Sequence, residues 1–140
     1  MLVDFENDCV RTSLEVARAL KDRLWGVRLD TSETLVDLSV QRTMGDFDPR
    51  GVNAQLCWLT RKALDREGFE HVKIVASGGF NVAKIERFER EGVPVDAYGV
   101  GSAFYQGSYD FTADVVMLEG RPCGKVGRRY RPNPRLELVS

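Results

Sequence analysis

Four short apolar runs, each followed by polar or glycine residues, alternate with stretches of helical spacing through the first hundred residues. The runs are Leu2-Val3-Asp4-Phe5, Trp25-Gly26-Val27-Arg28-Leu29, His71-Val72-Lys73-Ile74-Val75-Ala76 and Val93-Pro94-Val95-Asp96-Ala97-Tyr98. Between them, Asp8 is placed to cap a helix on which Val10, Leu14, Ala17, Leu20 and Leu24 recur at helical spacing. Asn53 caps a second helix through Leu56, Leu59, Ala63 and Leu64, which Gly68 can end. Asn81 caps a third, with Val82, Ile85 and Phe88 on one face and Gly92 as its stop. Strand–helix alternation of this kind predicts a parallel sheet covered by helices, an α/β fold.

Residues 34–40 read equally as a short helix or an extended segment, and residues 41–51 as a loop. After Phe104 the rhythm changes. Residues 114–118 and 121–126 predict a small hairpin around Glu119-Gly120, and Arg131-Pro132-Asn133-Pro134-Arg135 an extended tail that its prolines keep out of helix. The predicted organisation is therefore four strand–helix units over residues 1–104, with a hairpin and tail over residues 105–140 completing the same domain. A chain of 140 residues suits one domain but not a closed β/α barrel, which needs about 200 residues or more.

The formal net charge of −1 gives no global footprint for nucleic acid or an anionic membrane. One basic stretch, Lys125-Val126-Gly127-Arg128-Arg129-Tyr130-Arg131, reads either as solvated or interface charge or as an anion or partner site. Cys9, Cys57 and Cys123 are widely spaced and His71 is the one histidine, so neither a zinc site nor a disulfide framework is expected. Cys9 and Cys57 read as packed thiols. No apolar run approaches the ~20 residues of a membrane span, and charges interrupt the first residues where a signal peptide would run. The expected compartment is the cytoplasm.

In parallel α/β folds, ligands bind at the carboxyl ends of the strands. Ser77-Gly78-Gly79 before a capped helix is suited to a phosphate, because glycine lets backbone N–H groups approach the anion and a helix start adds positive partial charge. Gly99-Val100-Gly101-Ser102 offers a second set of N–H groups one strand later. Singly these glycines could equally make tight turns; as a pair at successive strand ends they favour phosphate. Arg28 and Asp30 leave one face of their strand, either as a structural ion pair or holding a ligand's carboxylate and ribose hydroxyl. Asp4 and Glu6 share a face by the same rule. They could hold magnesium or pyrophosphate through water, although carboxylates here are more often caps or solvated groups.

At these residues the sequence resembles nicotinate phosphoribosyltransferases. The resemblance runs through Val3-Asp4-Phe5-Glu6-Asn7-Asp8, Gly26-Val27-Arg28-Leu29-Asp30-Thr31-Ser32, Ser77-Gly78-Gly79-Phe80-Asn81, Val95-Asp96-Ala97-Tyr98-Gly99-Val100-Gly101 and Arg131-Pro132-Asn133-Pro134-Arg135-Leu136, in that family's order and over nearly the whole chain. It implies the carboxy-terminal half of a phosphate-binding β/α barrel. It also implies transfer of nicotinate to phosphoribosyl pyrophosphate, giving nicotinate mononucleotide for NAD synthesis, with magnesium assisting and ATP as co-substrate. Carried over, Ser77, Gly78, Gly79, Gly99 and Gly101 would hold the ribose phosphate. Arg28, Asp30 and Thr31 would hold nicotinate and ribose, with Asp4 and Asp30 catalytic. Asp4 and Glu6 would stand near magnesium pyrophosphate.

Family members run to several hundred residues, so the resemblance also implies a missing amino-terminal half and a site completed by that half or by a second copy in a dimer. Such a chain is expected to be inactive alone. His71, at the start of a strand, lies at the edge opposite the expected site. One rival is a non-enzymatic half-barrel that binds phosphorylated ligands or a partner. Another is an isomerase or aldolase barrel, for which Lys73 and Lys84 are poorly placed.

Overall fold

The computed structural model describes residues 1–43, 45–104 and 112–135. Three strands, β1 (Gly26–Leu29), β2 (Lys73–Ala76) and β3 (Ala97–Tyr98), lie parallel in sequence order. The register sets Val27 beside Ile74, Leu29 beside Ala76 and Val75 beside Ala97. Four α-helices, α1 (Cys9–Leu20), α2 (Leu38–Gln41), α3 (Ala54–Arg66) and α4 (Val82–Arg90), fill the connections. Each start is fixed by a side-chain oxygen accepting a backbone N–H: Asp8 from Arg11 at 3.2 Å, Asp37 from Ser39 at 2.8 Å, Asn53 from Leu56 at 2.9 Å and Asn81 from Lys84 at 3.0 Å. The three predicted caps therefore do what their positions require.

The sheet is buried from one side. Val27, Leu29, Ile74 and Ala76 have no exposure, whereas Arg28 and Lys73, which alternate with them, are exposed. The buried set joins Cys9, Ala17, Leu56, Cys57, Leu64 and Phe88 from the helices in one core. Phe80, Phe88 and Tyr98 pack at ring separations of 5.1, 5.3 and 6.4 Å, each such pair contributing about 0.5–1.5 kcal/mol beyond its buried area. They tie α4 to the end of β3.

Several boundaries differ from the sequence pattern. The first expected strand is a single bridge, Leu2 to Arg28, with Val3 N–H donating to Arg28 O and Arg28 N–H to Met1 O. It stops because the chain turns at residues 5–7, where Asn7 N–H donates to Asp4 O and Asn7 takes φ +54°. The fourth strand starts late. Pro94 has no N–H, and the Asp96 carboxylate accepts the Ile74 N–H at 2.8 Å in place of a carbonyl. Residues 34–40 are extended and then helical: Val36 bridges Arg50, and α2 begins at Leu38.

The hairpin forms around the expected turn, with β4 (Met117–Leu118) antiparallel to β5 (Arg121–Pro122). Glu119 and Gly120 both have positive φ, the geometry of a two-residue hairpin turn, but the paired arms are shorter than the pattern suggested. Leu136, the last residue of the expected tail motif, lies outside the described residues.

Two outcomes follow from this packing. Cys9 and Cys57 are buried and Cys123 is exposed. Burial pushes the Cys57 thiol up to about 12 and raises that of Cys9 further, with Asp37 adding to the effect. A thiol reagent on the native protein should therefore modify Cys123 promptly and the other two only in denaturant. Asp96 is held below the usual carboxylate range: burial opposes this, but the Ile74 N–H and the Lys73 ammonium at 3.0 Å outweigh it. A depressed folded pKa stabilises above the unfolded value of about 3.9 and is lost as pH falls through the folded value. The Tm difference between wild type and Asp96→Asn should accordingly be full at neutral pH and shrink below about pH 4.

Candidate ligand site at the carboxyl ends of the strands

The ends of β1 and β2 are joined through the main chain beyond the strands themselves. Ser77 donates both its N–H, at 2.9 Å, and its hydroxyl, at 3.1 Å, to Leu29 O. The chain then turns through Gly78 at φ +86° and Gly79 at φ +65°, a region that side chains rarely adopt, and α4 starts three residues later. A Cβ on Gly78 would stand 3.2 Å from Asp30 Oδ1, so the Asp30 carboxylate lies directly against this turn. Gly99 comes equally close to Ser77, where a Cβ would meet the serine Cβ at 2.9 Å. Gly78, Gly99 and Asp30 are thus brought together. Among the described residues nothing lies within 4 Å of where a Cβ on Gly101 would be, just before a 3-10 turn, Ser102–Phe104.

Among the described residues, the backbone N–H groups of Gly78, Gly79, Phe80 and Asn81 donate to no acceptor. Donors without an acceptor at the start of a helix are the kind of group that can meet an anion. Two side chains act at this turn. Lys84, in the first turn of α4, reaches back to donate to Gly78 O at 3.2 Å and lies 4.3 Å over the Phe80 ring. Burial lowers its pKa from the ordinary lysine value, with Glu33 opposing. The Glu33 carboxylate folds over Gly79, its Oε1 occupying the place where a Cβ would be. That side chain is exposed and can swing aside.

A second cluster lies beside Asp30. Asp4 is buried, and its Oδ2 is ion-paired with Lys125 Nζ. Lys125 also donates to Asp30 O at 2.8 Å and stands 4.0 Å from Asp30 Oδ2. The lysine comes from the segment after the hairpin, which is held here by Val126 N–H donating to Phe5 O at 3.0 Å.

Three expected roles are not what these contacts provide. Thr31 is buried with its hydroxyl 3.6 Å from Cys9 Sγ, so its side chain turns into the core instead of towards a ligand. Ser77 donates its N–H and hydroxyl to Leu29 O, which makes it a brace for the turn. Asp4 and Glu6 do not share a face. The turn at residues 5–7 breaks the alternation, leaving Glu6 exposed and Asp4 sealed beneath Lys125. Among the described residues no group of three or more metal-binding side chains converges.

Arg28 is exposed on the uncovered face, and no described carboxylate pairs with it. Of the two readings for Arg28 and Asp30, the ion pair is not formed. His71 is exposed near Lys21 O at 3.4 Å, at the other end of the strands.

Lys84 and Glu33 were missed by sequence reasoning, and Lys125 was noted only as one member of the basic stretch for which an anion or partner site was one reading. Lys84 carried a signal, because a cation in the first turn of a helix opposes the helix dipole and needs another partner. Nothing in the sequence pointed from Lys125 to Asp4 and Asp30, which are distant along the chain.

No family model matches the chain, and no curated protein matches it. A crystal structure described as nicotinate-nucleotide pyrophosphorylase from Pyrococcus furiosus is similar, with 32% sequence identity, a TM-score of 0.59 and 91% of this chain covered. The chain spans 29% of the length of that protein. The likeness relates the sequence and fold of most of this chain to one portion of a larger molecule.

The Asp4–Lys125 pair yields a stability test. Lys125→Met strands a buried carboxylate and should cost about 3–5 kcal/mol, whereas Asp4→Asn/Lys125→Met, which strands no charge, should recover most of that loss. Urea unfolding of the two variants measures the difference.

Proposed function

We propose that this chain is the phosphate- and ribose-holding portion of a phosphoribosyltransferase of the nicotinate class, built as half of a β/α barrel. The observation that carries this is the Gly78–Gly79 turn, with four free N–H groups at a helix start and the Asp30 carboxylate against it. A sugar phosphate supplies what such a place lacks, an anion for the donors and hydroxyls for the carboxylate. The likeness to a nicotinate-nucleotide pyrophosphorylase supports the same reading. Pyrophosphorolysis of nicotinate nucleotide breaks the bond between ring nitrogen and ribose carbon that transfer to phosphoribosyl pyrophosphate forms.

In this reading the phosphate lies on the N–H groups of residues 78–81, with Lys84 beside it as a cation. The Glu33 carboxylate swings away as the phosphate enters. Asp30 accepts from the ribose, fixing the anomeric carbon relative to the phosphate. Arg28, unpaired on the open sheet face, meets the carboxylate of nicotinate. As pyrophosphate departs, positive charge grows on the sugar ring, and Asp30 is near enough to favour it. Magnesium enters with the pyrophosphate, since the described carboxylates form no cage for it. ATP coupling, the groups that enclose the pyridine ring and those that hold pyrophosphate belong to a companion segment or a second copy of the chain.

The alternative is a binding module without turnover. One observation favours it: Asp4 is neutralised by Lys125, so Asp30 has no free carboxylate partner to share acid–base work. Calorimetric titration with nicotinate mononucleotide and a turnover assay with nicotinate, phosphoribosyl pyrophosphate, magnesium and ATP decide between them. Binding without turnover, with turnover appearing when the companion half is supplied, is the expected result. Gly79→Asp should weaken nicotinate mononucleotide binding at least tenfold, by adding a side chain at positive φ and an anion in the cradle. Unchanged binding in that variant removes the reading.

A further inference from the structure

An ammonium group has three N–H donors. At Lys125, one faces Asp4 Oδ2 and a second donates to Asp30 O at 2.8 Å. The gap from Nζ to Asp30 Oδ2 is 4.0 Å, too long for a direct hydrogen bond, and an oxygen atom set to one side of the line joining them can hydrogen-bond to both. Among the described residues, the Asp30 carboxylate accepts no hydrogen bond.

The atom that fits this gap must accept from an ammonium and donate to a carboxylate. An ionised phosphate oxygen can accept but not donate, and Asp30 repels it. A metal ion or amine is repelled by Lys125. A hydroxyl does both, as does the water molecule that such a hydroxyl would displace. Because Asp30 Oδ1 lies against the Gly78 turn, a hydroxyl held here belongs to a molecule whose phosphate can rest on the same turn.

We propose that Lys125 and Asp30 together recognise a sugar hydroxyl of the phosphorylated ligand, and that buried Asp4 is a positioning residue that holds Lys125 in place. This rests on the phosphate reading of the glycine turn. It moves Asp4 from a catalytic or metal-binding role to a supporting one. It also makes the segment after the hairpin part of the ligand site: Val126 is bonded to Phe5 O, and a Cβ on Gly127 would lie 3.2 Å from Leu35, so the lysine is delivered by a fixed backbone.

The test compares ribose 5-phosphate with inorganic phosphate, because the ratio of their dissociation constants isolates what the sugar adds. In the wild-type chain, ribose 5-phosphate should bind at least tenfold more tightly. In Asp4→Asn/Lys125→Met, which leaves no buried charge unpaired, that advantage should fall to within about threefold while inorganic phosphate binds as before. An advantage that survives the double substitution overturns the proposal.

A second measurement needs no variant. The side-chain NMR signal of Lys125 in the wild-type chain should shift with ribose 5-phosphate and not with inorganic phosphate. No shift on saturation with ribose 5-phosphate overturns the assignment. If wild type binds inorganic phosphate with no gain from the sugar, this proposal falls and the phosphate site stands; if it binds neither, both fall.

Discussion

Asp4 is a carboxylate cut off from water, and such a group is tolerated only when something nearby supplies the stabilisation that water gave. Lys125 does so from the far end of the described chain. One contact therefore determines several others. It seals the end of the amino-terminal segment, brings the stretch after the hairpin onto the strand ends, and sets an ammonium beside Asp30. Replacing both partners by apolar groups need not harm stability. The retained charge is better understood as fixing which segment lies over the strand ends.

The local chemistry of the helices could be read from the sequence because it is local. Asp8, Asn53 and Asn81 each bond to an N–H three residues on, and a short-range pattern suffices to find them. The parallel order of the sheet was equally legible from apolar runs alternating with helices. Strand lengths were not. Whether residue 5 or 94 continues a ladder depends on Asn7 folding back on Asp4 and on Asp96 replacing a carbonyl, and neither alters hydrophobic periodicity.

The site divides along the same line. Glycines at Gly78 and Gly79 announce a turn with positive φ whatever surrounds it, so their role could be anticipated. The direction of Thr31 could not, because only the folded core brings Cys9 to its hydroxyl. Lys125 was visible merely as one of several basic residues near the end. Its neighbours Arg128, Arg129 and Arg131 are exposed, and nothing in the local pattern singles out the half-buried member.

The uncovered face of the sheet carries a condition for whatever covers it. Arg28 stands there between strand neighbours, with no described anion to meet it. A guanidinium cannot lose its protons to escape burial. A layer of hydrocarbon laid over this face would therefore strand a permanent charge. An element laid over this face has to arrive with a carboxylate, or leave water at β1. The face is thereby polar at the level of Arg28, whereas its neighbours along the strand, Val27 and Leu29, turn to the buried side and are apolar.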